Sequence, residues 1–285
     1  MGDRLLGVWA AVEGPYTGWE GILSHYEHLA VRSEGRVTTV SLARPESHNA
    51  LDGALIGELT HAFDDLAESE SVRVVVLAGE GQSFCAGADV GYMRNTVELS
   101  YEENLEDARR LGAMFRAVDE CPKPVVAKVR GAAMGGGAGL VAAADVAVAD
   151  EGARFAFSEV RLGIAPATIA PFVVRKIGAS HARSLFLTGE RFGAARAREI
   201  GLLHESVPSD ELDTAVEEKV RELLQGGPHA QAAVKALLRQ LESVEPMDAP
   251  GLMSRLIGEL RSGEEGQEGL AAFLEKRDPH WRAGA

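Results

Sequence analysis

Between residues 131 and 139 the chain places five glycines in nine positions, Gly131-Ala-Ala-Met-Gly135-Gly136-Gly137-Ala-Gly139, between apolar stretches at 124–129 and 141–149. Glycine costs backbone entropy in any regular element, so a cluster this dense means a backbone that turns sharply or comes very close to something. The following Leu140-Val-Ala-Ala-Ala144 suits a helix. A bare main chain at a helix start offers unpaired N–H groups and the positive end of the dipole to an anion or a developing oxyanion. A tight strand-to-helix turn without a ligand gives the same pattern, and the glycines alone leave both readings open.

The segments around this run alternate between two periods. Residues 29–31 and 37–42 read as a hairpin closed by the turn 33–36. Leu51, Leu55, Leu59, Phe63 and Leu66 recur at helical spacing and predict an amphipathic helix over 51–68. Residues 72–77 and 125–129 are nearly continuous apolar runs, as expected of strands covered on both faces. A helix over 102–119 stops at Cys121-Pro122, and further strands are expected at 145–149 and 155–157. This order of strand, turn, helix and strand defines an α/β layer class. Beyond Pro166 helices dominate, at about 168–177, 180–187, 193–200, 209–225, 229–243 and 264–275. Residues 1–26 show no sustained period and read as an N-terminal extension or leader. They are followed by a core over 27–207 and a C-terminal helical region over 208–285.

With 285 residues, 46% of them hydrophobic, the chain has enough apolar surface for a large core. It shows no run of about eighteen apolar residues and no basic-then-apolar start, so a cytoplasmic protein without a membrane partner is expected. Its two cysteines, Cys85 and Cys121, have neither metal spacing nor a disulfide framework. The formal charge of −14 disfavours a nucleic-acid partner, while a local basic pocket for a phosphorylated ligand stays compatible with it. His48, His61, His181 and His204 show no metal or triad spacing, so no metal site is expected.

Five motifs occur in one order: Ser83-Phe-Cys-Ala-Gly-Ala-Asp89, Lys123-Pro-Val-Val-Ala-Lys-Val-Arg-Gly131, the glycine run, Phe157-Ser-Glu-Val-Arg-Leu-Gly-Ile-Ala-Pro166 and Phe273-Leu-Glu-Lys-Arg-Asp-Pro-His-Trp281. Together, over about residues 28–285, the chain resembles the enoyl-CoA hydratase/isomerase (crotonase) family. Residues 158–174 are most similar to the methylglutaconyl-CoA hydratase branch. The resemblance implies a spiral of strand-strand-helix units and a C-terminal helical region that trimerises, commonly as a dimer of trimers. It also implies an acyl-CoA thioester as substrate, with no separate cofactor.

In this resemblance two backbone N–H groups, those of Ala88 and Gly136, hold the thioester oxygen as it becomes an enolate, which agrees with the physical reading of the glycine run. Glu159 matches one of two glutamates that the family's hydratases use to move protons. His48, Ala50, Ala86, Gly87, Asp89, Gly135 and Lys276 fall along the acyl-CoA, with Lys276 a candidate for a phosphate. Asp89 equally suits a helix cap. The other glutamate is missing: its position is Gly139, and Val141 to Ala144 supply no acid. Hydration with a replacement acid or the substrate's own carboxylate, double-bond isomerisation by one glutamate, decarboxylation, and acyl-CoA binding without catalysis all remain open. Arg161 is either near a carboxylated acyl group or a surface residue.

Overall fold

The computed structural model describes residues 26–245 and 247–282; the expected extension over 1–26 lies, apart from Tyr26, outside them. The chain begins with the antiparallel hairpin β1 (Leu29–Glu34) and β2 (Val37–Leu42), in register from Leu29 opposite Leu42 to Glu34 opposite Val37. Its turn is Gly35-Arg36, two residues shorter than expected because pairing runs on through Ser33 and Glu34. Helix α1 (Gly53–Glu68) follows, capped by Asp52, whose Oδ1 accepts from the Leu55 N–H at 2.9 Å. It buries Leu55, Ile56, Leu59, Ala62, Phe63 and Leu66, the stripe that the sequence period predicts.

Three turns of a spiral come next. Each places one strand in a six-stranded sheet, a short strand in a four-stranded sheet, and then helix. The first is β3 (Val74–Gly79), β4 (Ser83–Cys85), α2 (Val90–Thr96) and α3 (Tyr101–Glu120). The second is β5 (Val125–Val129), β6 (Ala132–Met134) and α4 (Gly136–Ala143); the third is β7 (Val146–Asp150), β8 (Arg154–Ala156) and α5 (Ala170–Thr188). With β9 (Arg191–Gly193), α6 (Ala194–Glu199) and β10 (Glu205–Val207), the large sheet runs β1-β2-β3-β5-β7-β10 and the small one β4-β6-β8-β9. Helix α5 is broken at Gly178, at the gap expected between two helices.

Strand β3 is buried on both faces, as its continuous apolar run requires. Val75 and Leu77 enter the main core with Phe63, Phe84, Phe115, Phe155 and Phe157. Val74 and Val76 face the other way, against Leu212, Val216 and Val220 of α7 (Leu212–Gln225). The first helix of the C-terminal region thus covers the outer face of the large sheet. Beyond it, α8 (Pro228–Leu241), α9 (Ala249–Ser262) and α10 (Glu264–Glu275) leave Leu238, Ile257, Phe273 and Leu274 exposed. Helix α9 was not expected: Pro250, Gly251 and Gly258 interrupt its pattern with loop-forming residues.

Candidate functional site

The glycine run sits where the two sheets meet. Gly135 stands before α4 at φ +49°, ψ −116°, a conformation costly for any residue with a side chain, and its N–H donates to the Ala156 carbonyl at 2.8 Å. The first intrahelical bond is Gly139 N–H to Gly135 carbonyl at 2.9 Å, so Gly136, Gly137 and Ala138 direct their N–H groups out of the helix end. Gly137 lies flat against Cys85, whose carbonyl overlaps the place of a Cβ. Close backbone approach, more than turning, therefore accounts for the density of glycines.

The second loop reaches this helix end from β4. A parallel bridge joins Leu51 to Ala88: Leu51 N–H donates to the Gly87 carbonyl at 2.7 Å, and Asp89 N–H to the Leu51 carbonyl at 2.9 Å. The bridge uses the groups flanking Ala88 and turns the N–H of Ala88 itself to the opposite side. Leu51 is also the link to α4, because its Cδ1 lies 2.7 Å from the position of a Cβ on Gly136. A Cβ on Gly87 would stand 3.0 Å from the Met134 carbonyl oxygen and 3.9 Å from the Gly135 nitrogen. The two loops are thus in contact, with Ala88 and Gly136 on their facing stretches.

Glu159 begins a short 3-10 turn, Glu159–Leu162, just after β8. Its Oε1 lies 3.3 Å from the position of a Cβ on Gly135, so a side chain there would crowd the carboxyl. Oε2 is buried without a hydrogen-bond partner in the described protein. Burial raises the Glu159 pKa, opposed only by the residue's own backbone N–H. A carboxyl kept short of partners beside an open helix end is suited to taking up and returning a proton.

Gly139 faces a filled space. Ile169 overlaps the position of a Cβ on Gly139, and Phe115 Cε1 is 3.0 Å from it; Phe115 in turn packs on Phe172 with ring centroids 5.9 Å apart. The missing acid is thus matched by apolar side chains that occupy its direction.

The remaining expected residues fall into two groups. His48, Ala50, Ala86 and Gly87 come together as adjoining strips: the Ala86 N–H donates to the His48 carbonyl at 2.9 Å, and His48 Nδ1 is 3.1 Å from Ser83 Oγ. Asp89 adjoins them, but its Oδ1 caps α2 through the Gly91 and Tyr92 N–H groups, at 2.8 and 3.2 Å. Those backbone bonds, Tyr92's first, and the neighbouring Arg44 together hold its pKa below the usual value against desolvation. Lys276 is exposed at the C-terminal end of α10, on a different element from these loops. Arg161 is exposed and lies on Gly189 at the end of α5, in line with the surface reading. Cys85 is buried and its thiol is pushed up to about 12, a state poor for a nucleophile.

Sequence reasoning passed over Arg44, which joins Asp52 to Asp89, and the Tyr92 hydroxyl, which donates to Asp107 and ties α2 to α3. Asp52 and Asp89 each precede a helix, a position that marks them as caps, and that position alone does not show that they share a cation. Among the described residues no group of three or more His, Cys, Asp or Glu side chains is placed to hold a metal ion. Among them, too, no helix is long and apolar enough to cross a membrane.

A strand-strand-helix spiral carrying an open helix end, a loop packed against it and one poorly partnered carboxyl defines the class: an α/β enzyme of the crotonase fold. The chain belongs to the enoyl-CoA hydratase/isomerase family, whose model matches residues 32–284. It is 34% identical over 256 residues to the 2,3-dehydroadipyl-CoA hydratase of Escherichia coli K12, covering 89% of this chain and 98% of that protein. A crystal structure of an enoyl-CoA hydratase from Shewanella pealeana superposes with a TM-score of 0.87 at 38% identity, covering 90% of this chain and 97% of that one. Pseudomonas aeruginosa AtuE gives a TM-score of 0.87 at 39% identity, covering 90% of this chain and all of the other.

Proposed function

We propose that this protein is an enoyl-CoA hydratase in which Ala88 and Gly136 N–H groups hold the thioester oxygen and Glu159 is the only protein acid/base. The observation that carries the reading is the Glu159 carboxyl, set beside Gly135 at the open end of α4 with Oε2 buried and unpartnered. One carboxyl suffices for the proton balance. As carboxylate it takes a proton from water while the water oxygen bonds to Cβ, and the double-bond electrons move onto the thioester oxygen. As carboxylic acid it then returns that proton to Cα. Two preorganised N–H donors lower the cost of the intermediate charge, and a raised Glu159 pKa narrows the gap between its two roles.

The substrate is an acyl-CoA thioester, and no separate cofactor enters these steps. For the acyl group we favour a carboxylated chain such as 3-methylglutaconyl. Support comes from the likeness of residues 158–174 to that branch and from a relative named for 2,3-dehydroadipyl-CoA. His48, Ala50, Ala86, Gly87 and Gly135 are positioned to line the thioester and pantetheine portion. In a trimer or dimer of trimers built on the exposed C-terminal helices, Lys276 would serve a phosphate. A second reading, enoyl-CoA isomerase, is favoured by the apolar filling at Gly139, since moving a double bond takes one carboxyl and no water.

Turnover of crotonyl-CoA, 3-methylglutaconyl-CoA and a 3-enoyl-CoA separates these readings. The proposal expects water to add to the first two, with 3-methylglutaconyl-CoA preferred by kcat/KM. Double-bond migration in the 3-enoyl ester without hydration of the others would establish the isomerase instead. Tight ester binding with no turnover of any would establish a non-catalytic role.

A further inference from the structure

Arg44, just beyond β2, reaches three backbone or carboxylate oxygens, two on either side of Leu51 and one on Asp89, next to Ala88. Its Nη1 donates to the Ala50 carbonyl at 2.5 Å, and its Nη2 is 2.9 Å from Asp52 Oδ2 and 3.4 Å from Asp89 Oδ2. The two aspartates divide their oxygens in the same manner. Oδ1 of Asp52 caps α1 and Oδ1 of Asp89 caps α2, which leaves both Oδ2 atoms for the guanidinium. Leu51, between Ala50 and Asp52, is the residue bridged to Ala88. One cation thus clamps the strip 50–52 to the strip 87–89 across the bridge that orients the Ala88 N–H.

The backbone of Arg44 is itself held. Its N–H donates to Asn49 Oδ1 at 2.9 Å, and its carbonyl accepts from the Asn49 N–H at 2.9 Å. Asn49 is fully buried and bonds the Glu80 and Ser83 carbonyls, each at 2.8 Å. The clamp is therefore anchored at its base to the strand that carries the Ala88 loop. A planar fork with several fixed donors suits this task, and a lysine point charge would not reproduce it.

We propose that Arg44 is a positioning residue for the oxyanion site: by pairing with Asp52 and Asp89 it fixes the direction of the Ala88 N–H. This rests on the reading of Ala88 and Gly136 as oxyanion donors. A donor displaced by about 1 Å costs on the order of 10²-fold in rate, and the loss falls on the charged intermediate rather than on the bound ester. A residue that served only to fasten two helix ends would instead affect every ligand alike.

The experiment compares wild type with Arg44→Met, Arg44→Lys and Asp52→Asn, the last of which keeps an Oδ1 cap for α1. Affinities for acetoacetyl-CoA, which ionises to an enolate, and for saturated butyryl-CoA are measured beside kcat and KM on the best hydration substrate. Arg44→Met should lower kcat by about 10- to 100-fold and weaken acetoacetyl-CoA by a similar factor, with KM and butyryl-CoA affinity changed by less than about threefold. Arg44→Lys and Asp52→Asn should move the same way by smaller factors, and they carry the test if Arg44→Met does not fold. Equal weakening of both esters, or of neither, in the folded variants overturns the positioning role. If wild type binds acetoacetyl-CoA no more tightly than butyryl-CoA, the oxyanion reading fails first and takes this proposal with it.

Discussion

Ile169 occupies the space that a side chain on Gly139 would need. Its Cγ2 overlaps the position of a Cβ there, and Phe115 closes the other side at 3.0 Å. A glycine inside a helix normally costs about 1 kcal/mol relative to alanine, so alanine should help on propensity alone. Here packing decides the sign. Gly139→Ala is expected to destabilise by about 1–3 kcal/mol, the usual range for overpacking, as read by urea denaturation. Combined with Ile169→Ala it should cost less than the sum of the two single changes, because the two residues contest one volume.

The titration of Glu159 predicts a pH dependence of stability. Its folded pKa is raised by burial, so the native state holds this proton more tightly than the unfolded chain does. The stabilising effect is full below the unfolded value of about 4.3 and is lost as pH rises through the raised folded value. Glu159→Gln, which stays neutral, should match wild type at the acid end of that window and be more stable than wild type above it. Parallel denaturation curves across the window check this; a variant less stable than wild type at neutral pH would contradict it.

The C-terminal helices expose Leu238, Ile257, Phe273 and Leu274, with Phe273 and Leu274 81% and 78% accessible. Adjacent apolar residues this open on helices that bury almost nothing internally call for a covering surface. Light scattering should give the mass of a trimer or a hexamer for the wild type. Phe273→Glu with Leu274→Glu should move it toward the monomer.

Much of this arrangement was legible in the sequence because it rests on local rules. The stripe of α1, the two-faced run of β3 and the glycine-rich start of α4 each follow from period or from backbone freedom. What stayed hidden depends on chain segments far apart. The contact of Ile169 with Gly139 fills the place of the missing acid, and it pairs a residue of α4 with the turn before α5. The clamp at Arg44 links residues 44 and 89, and nothing in the spacing of those residues reveals it. Helix α9 was lost for the opposite reason: Pro250, Gly251 and Gly258 are strong local signals for a loop, yet the chain there is helical.

The central claim is that one carboxyl, Glu159, performs the proton transfers. Glu159→Gln preserves the shape of the side chain and removes the ionisable carboxyl, so kcat on the best enoyl-CoA substrate tests the claim directly. The account predicts a fall of about 10²- to 10⁴-fold with affinity for butyryl-CoA retained. Wild-type kcat in the folded variant would contradict it.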